Sequence, residues 1–207
     1  MLSNQNVHEE RFDAIIVGAG FAGMYMLYKL RSMGLNTRVY ERGDGVGGTW
    51  YWNRYPGARC DLESMEYSYS FDDALQQDWD WKEKYGTQPE LLKYANHVAD
   101  RFDLRRDIVF ETRVKSAHYN DATSRWVVTT DCGTRATTTH LVLATGNLST
   151  PQLPKIDGVA NFDGRSFHTG AWPHHSVNFI GRRVGIIGTG SSAVSYTHLT
   201  LPTILLV

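Results

Sequence analysis

The sequence predicts an α/β fold, and three observations carry that expectation. A β-prone apolar run, Phe12-Asp13-Ala14-Ile15-Ile16-Val17, leads directly into a glycine-rich turn and a helical pattern. A second short strand pattern, Thr37-Arg38-Val39-Tyr40, closes one compact βαβ unit. The same strand-and-glycine opening returns at Arg182-Arg183-Val184-Gly185-Ile186-Ile187, about 170 residues later, so the chain holds the openings of two such domains.

In the first unit, apolar Met26, Leu27, Leu30 and Met33 fall at spacings of three and four, and Gly34 stops the helix. The stretch from Gly43 to about Phe71 is rich in glycine and aromatics and too irregular for a helix or strand. Thr87-Gln88-Pro89-Glu90 reads as a capping box with proline in the first turn, opening a helix to about Asp103. Short strands are expected at Ile108–Phe110, Arg125–Thr130 and Thr138–Ala144, with turns at Asn120-Asp121 and Asp131-Cys132-Gly133. A Pro- and Gly-marked linker runs from Ser149 to Gly158.

Composition narrows the function classes. The 207 residues are 42 % apolar and 21 % charged, a balance that builds a sizeable core. A formal charge of −1 offers no basic face for nucleic acid or anionic lipid. Two cysteines, Cys60 and Cys132, exclude a disulfide scaffold and a Cys-rich zinc module. No apolar run reaches the length of a membrane span, and Met1 to Phe12 is too polar for a signal peptide, so a cytosolic protein is expected. Glycine numbers 19, and ten aromatics lie between Trp50 and Tyr85. Glycines admit a ligand close to backbone and aromatics supply flat walls, which suits a large planar cofactor; a Trp-rich core would look similar.

Gly18-Ala19-Gly20-Phe21-Ala22-Gly23 follows a strand, opens a helix, and is followed 18 residues after Gly23 by an acid, Glu41, at a strand end. That context makes it the dinucleotide fingerprint. Gly18 permits the tight turn, Gly20 lets backbone reach a pyrophosphate, and Gly23 allows close helix–strand packing. Glu41 would accept hydrogen bonds from a ribose 2′-OH and repel a 2′-phosphate, so this site wants FAD or NAD; the bland alternative is a strand–helix turn without a ligand. The second fingerprint, Gly188-Thr189-Gly190-Ser191-Ser192-Ala193, ends in alanine, which the motif tolerates. Its discriminating acid or arginine is not recognisable, so NAD and NADP stay open there on physical grounds.

Gly47-Gly48-Thr49-Trp50-Tyr51-Trp52-Asn53-Arg54-Tyr55-Pro56-Gly57-Ala58-Arg59-Cys60-Asp61 resembles the long motif of flavin-dependent Baeyer–Villiger monooxygenases. Phe162-Asp163-Gly164-Arg165-Ser166-Phe167-His168-Thr169-Gly170-Ala171-Trp172-Pro173 matches that family's F-x-G-x-x-x-H-x-x-x-W-P fingerprint at every fixed position. Flavin-containing heteroatom monooxygenases share the first part but typically lack the closing Trp-Pro. The resemblance, to the cyclohexanone and phenylacetone monooxygenase branch, covers roughly residues 10–193. It implies a truncated two-dinucleotide-binding, Rossmann-like fold. Residues 1–150 would form an incomplete FAD-binding domain, 151–180 an inter-domain linker, and 181–194 the start of an NADP-binding domain. It also implies an NADPH-dependent flavoprotein monooxygenase that uses O2 to convert a small-molecule ketone into an ester or lactone, with the cofactor carrying the chemistry.

By that correspondence, the first glycine turn, Glu41 with Arg42, Gly48, Thr49 to Trp52, Asp61, Tyr67, the backbone near Val114, and Thr145-Gly146 contact FAD. Arg59 to Asp61 and Gly188 to Ala193 would lie near NADP. In the family the residue matching Asp61 hydrogen-bonds an arginine that stabilises negative charge developing at the flavin, a pairing that favours the charged forms of both. Read without the family, Asp61 is a loop residue capping backbone N–H groups. His168 invites a general-base reading, but its linker position argues for a hinge on which catalysis depends indirectly. His174-His175 is no metal pair, because adjacent side chains diverge and no other ligands surround them. Cys60 is expected to be packed and Cys132 incidental.

After Ala193 or Val194 the family pattern stops. Ser195 to Val207 alternates Tyr, Thr, His and Leu and contains Pro202, which cannot continue a helix interior. Val194 to Thr203 resembles the translation of a DNA-library adapter, so residues 195–207 are expected to be a non-native tail on an N-terminal fragment that is itself inactive. Two other functional classes stay open: an N- or S-oxygenating flavoenzyme, and a catalytically silent dinucleotide-binding fragment.

Overall fold

The structure, a computed structural model, describes residues 10–193 and the strand Ile204–Leu206. The chain divides into two compact units, Met1–Gly48 with Ala95–Gly146, and Thr49–Tyr94 with Asn147–Val207. The aromatic segment after Gly48 clusters with the C-terminal part of the chain. The reason is a shared core, in which Tyr55 and Ala58 pack with Trp172, Phe167, Phe179 and Val184.

The first unit is built on a six-stranded sheet in the order β3-β2-β1-β6-β5-β4. Its strands are β1 (Glu10–Val17), β2 (Thr37–Tyr40), β3 (Ile108–Val109), β4 (Val114–Asn120), β5 (Arg125–Thr130) and β6 (Arg135–Leu143). β1 pairs in parallel with β2 and β6, aligning Ile16 with Val39 and Val142, and β2 pairs in parallel with β3. The remaining strands form an antiparallel meander, β6-β5-β4. Adjacent residues of a strand point to opposite faces, and both faces of β1 are buried. Ile16 joins Val39, Met24 and Leu27 on one side; Ile15 joins Phe12, Tyr40 and Val128 on the other. Each such side chain contributes about 2 kcal/mol of burial.

Helix α1 (Phe21–Ser32) ends where the sequence predicts, with Met33 at the cap and Gly34 at φ +78°. Strands β2 and β5 also match their expected bounds. Two differences concern the meander. β6 begins at Arg135 rather than Thr138, and β4 was not expected at all. Val-Lys-Ser-Ala-His-Tyr-Asn has little β character, and pairing with β5, across an irregularity between Val114 and Ser116, makes it a strand.

In the second unit, the irregular aromatic stretch contains α2 (Thr49–Trp52) and α3 (Asp73–Gln77), the latter capped by Asp72 Oδ1 accepting from Leu75 N at 2.7 Å. Helix α4 (Gln88–Arg101), whose residues from Ala95 on belong to the first unit, starts beside the expected cap, but Glu90 does not complete a capping box. Its Oε1 accepts from Lys82 N at 2.9 Å, a neighbouring turn having reached it first. Tyr94 centres an aromatic core with Tyr69, Trp79 and Trp81, ring centroids 5.1–6.1 Å away. Of these, Tyr94 is buried and Tyr69, Trp79 and Trp81 are half-buried. β7 (Val184–Ile186) pairs in parallel with β8 (Ile204–Leu206). The rest of the expected non-native tail lies outside the described residues. Within the 151–180 segment, Trp172 is buried. No helix among the described residues is long and apolar enough to cross a membrane.

Candidate cofactor-binding site

In the first unit the glycine turn sits where β1 ends. Gly18 takes φ +102°, and a Cβ there would stand 2.7 Å from the Ala144 carbonyl oxygen and 3.7 Å from Thr145 Cα. This brings the end of β6, with Thr145-Gly146, against the turn. A Cβ on Gly23 would collide with the Gly18 carbonyl, so α1 lies against the turn only because residue 23 has no side chain. Gly20 faces Gly48, whose Cα lies 3.4 Å from the place of a Gly20 Cβ, and Gly47 N donates to Ala19 O at 3.0 Å. The loop after β2 thus folds onto the turn with glycine on both sides.

Glu41 is the acid at the end of β2, and it is buried. Its Oε2 accepts from Ala19 N at 2.7 Å and its Oε1 from Gly43 N at 2.8 Å. Charge-assisted bonds of this kind offset the cost of burying a carboxylate. They also tie the strand end to the turn. The backbone of Glu41 is held as well, donating to Val109 O and accepting from Thr112 N, 2.9 and 2.8 Å. Val114, two residues past Thr112, packs in the cluster that holds Tyr40 and Val109. Arg42 is exposed.

These residues fit a dinucleotide. The N-cap of α1 is Gly20 with no side-chain cap, and no acid occupies the first turn around Phe21 and Ala22. The positive end of the helix dipole is therefore not offset by an acid of its own first turn, which suits a diphosphate. A carboxylate offers about four lone-pair sites, so Glu41 keeps acceptor capacity for ribose hydroxyls.

In the second unit, α2 presents buried Trp50 and Tyr51 and half-buried Trp52. Trp50 meets Tyr67 edge to face at 5.6 Å. Burial pushes the Tyr67 hydroxyl above its usual pKa, and the Cys60 and Asp61 side chains raise it further. Asp61 itself is exposed and forms no hydrogen bond or ion pair among the described residues, so it is not the backbone cap its loop position allows. Cys60 is buried, its thiol also raised by burial. Arg59 is exposed and paired with Glu83 at 3.2 Å, an ion pair worth little in water.

The residues from 58 to 64 are laced to those from 83 to 88. Gln88 N donates to Ala58 O at 2.8 Å, Cys60 N to Gly86 O at 3.0 Å, and Ser64 N to Lys84 O at 2.7 Å. Gln88 is buried, and its Nε2 donates to Trp50 O. Reading the sequence missed this residue. Its only signal was a glutamine directly before Pro89, and nothing in such a pair announces burial.

The fingerprint segment caps itself locally. His168 Nδ1 accepts from Gly170 N at 3.0 Å, which leaves the proton of a neutral ring on Nε2. His174 is exposed and lies against the Tyr51 and Trp52 rings, centroids 5.3 and 6.1 Å away. Among the described residues no group of three ligating side chains gathers around it or elsewhere. The second turn follows β7, with Gly188 at φ +119° and Ala193 N donating to Gly190 O at 2.9 Å. Thr189, Gly190 and Ser191 are exposed. Tyr55 OH donates to Ser192 Oγ at 3.1 Å, so the long motif and the second turn meet directly.

Two glycine turns, each between a parallel strand and the start of a helix, define a dinucleotide-binding oxidoreductase fold. A family profile described as pyridine nucleotide-disulphide oxidoreductase matches residues 15–200, and the chain belongs to that family. It is 52 % identical over 192 residues to a Baeyer–Villiger monooxygenase of Pseudooceanicola batsensis, covering 92 % of this chain and 35 % of that one. It is 47 % identical over 197 residues to the phenazine N-monooxygenase PhzNO1 of Lysobacter antibioticus, covering 95 % and 36 %. The crystal structure of OTEMO in complex with FAD and NADP superposes with a TM-score of 0.89 at 39 % identity, covering 96 % of this chain and 39 % of that one. The chain therefore spans about a third of the length of these relatives.

Proposed function

We propose that this chain supplies the FAD- and NADPH-binding part of a flavoprotein monooxygenase that uses O2 to convert a ketone into an ester or lactone. One observation carries the reading: Trp172 of the 162–173 fingerprint is buried against Tyr55 and Ala58 of the 47–61 motif. Two segments about a hundred residues apart, each resembling the Baeyer–Villiger family, thus fold as one piece.

FAD, when bound, supplies electron transfer and the activation of oxygen. The chain's own residues hold and orient it. The first turn, Gly18 to Gly23, brings the start of α1 to the diphosphate, and Glu41 accepts from the ribose. By the family pattern, Thr49 to Trp52 of α2 and Tyr67 contact FAD, as do Thr145-Gly146 and the backbone near Val114. Asp61, exposed and without a partner among the described residues, is free to pair with an arginine from elsewhere in the intact protein. Gly188 to Ala193 bind NADPH, with Arg59 close by in the family pattern. His168 acts as a positioning residue, since its Nδ1 is already occupied. Both cysteines are free thiols, and the exposed one, Cys132, suits the reducing cytoplasm.

The test is made on the intact gene product that carries this sequence. Ketone-dependent NADPH and O2 consumption with ester formation supports the reading. A colourless protein that cannot be reconstituted with FAD overturns it. The phenazine N-monooxygenase relative favours a second reading, N-oxygenation; an aromatic N-heterocycle consumed in preference to ketones would select it.

A further inference from the structure

We infer that Gln88 is the positioning residue of the flavin-facing segment, which rests on the flavin reading above. It is buried at the start of α4. Its backbone N–H holds Ala58 O at 2.8 Å while its side-chain amide holds Trp50 O. One residue therefore grips the 47–61 motif at two points, Trp50 and Ala58. Trp50 also carries the edge-to-face contact with Tyr67, and Asp61 lies just beyond Ala58 along the laced segment. Trp50 lies in a helix of only four residues, Thr49–Trp52, too short to hold its own shape. Glu90, two residues after Gln88, differs: it accepts from Lys82 and touches neither point of the motif.

The experiment compares Gln88→Met, Gln88→Glu and Glu90→Gln in the intact flavoprotein by FAD titration, with thermal unfolding of the apoprotein alongside. Gln88→Met keeps size and loses the donor, so FAD affinity falls about tenfold, as expected for a lost buried hydrogen bond. Glu90→Gln leaves that affinity within about twofold, because the motif keeps its anchor. Gln88→Glu regains affinity as pH falls, relative to wild type at each pH, since only a protonated carboxyl donates to Trp50 O. Wild-type FAD affinity in Gln88→Met, or a pH-independent Gln88→Glu, overturns the inference. If Gln88→Met does not fold, the pH dependence of Gln88→Glu decides the matter. Failure of the wild type to bind FAD would instead sink the flavin reading, which keeps the two outcomes apart.

Discussion

Glu41 shows how one side chain serves fold and ligand together. Its two oxygens satisfy the N–H groups of Ala19 and Gly43, so truncation to alanine strands two donors in a buried place. Glu41→Ala should cost about 3 kcal/mol, read as a lower urea midpoint, while Glu41→Gln should cost less because one carbonyl oxygen still accepts. The two thiols differ in the opposite sense. Burial raises the Cys60 thiol, whereas the hydroxyls of Thr130 and Thr134 stabilise the exposed Cys132 thiolate. Because the thiolate is the nucleophile, alkylation of Cys132 should begin at lower pH, with Cys60 labelled only on unfolding. Mass spectrometry of iodoacetamide-treated protein at pH 7 to 9 checks this. Tyr69 follows the same physics: burial, then the neighbouring Tyr94, pushes its hydroxyl up. Its folded-state pKa lies above the unfolded value, so its contribution is present below pH 10 and lost as pH rises beyond it.

Among elements, the strand–turn–helix at residues 10–32 was the most legible. The unbroken apolar run of β1 announces a strand buried on both faces, and the glycine spacing announces the turn. Gly23→Ala tests the close fit. The added methyl meets the Gly18 carbonyl, and relieving that clash requires α1 to move away from β1. A loss of at least about 2 kcal/mol of stability is expected, together with weakened FAD binding. Trp172→Ala should be costlier, about 3 to 5 kcal/mol, because it empties the centre of the cluster around Tyr55 and Ala58. By contrast β4 was illegible. Its residues carry no period, and only the hydrogen bonds of β5 make it a strand. Glu90 was misread for a related reason: the four-residue pattern Thr87 to Glu90 is a true cap signature, but a competing donor, Lys82 N, comes from a loop that sequence spacing does not register.

For the molecule as a whole, the two glycine turns, the family profile and the relatives point to one enzyme class, and the chain spans about a third of their length. The 207-residue polypeptide by itself presents large apolar side chains to solvent, among them Ile180 at 89 % and Ile187 at 75 % exposure. Produced alone it should aggregate and show no ketone-dependent NADPH consumption, which light scattering and an absorbance assay at 340 nm would test. A monodisperse, ketone-oxidising 207-residue protein would refute that expectation.

Periodicity and fixed spacing are local properties, so the chain's order of residues was enough to reveal β1, α1, the two glycine turns, the acid at 41 and the family motifs. Partnership is not local. Which segments share a core, which carbonyl Gln88 reaches, and where the sheet gains a sixth strand depend on contacts between residues tens of positions apart. Those contacts are selected by the joint burial and hydrogen bonding of many side chains at once, and no window along the sequence contains that sum.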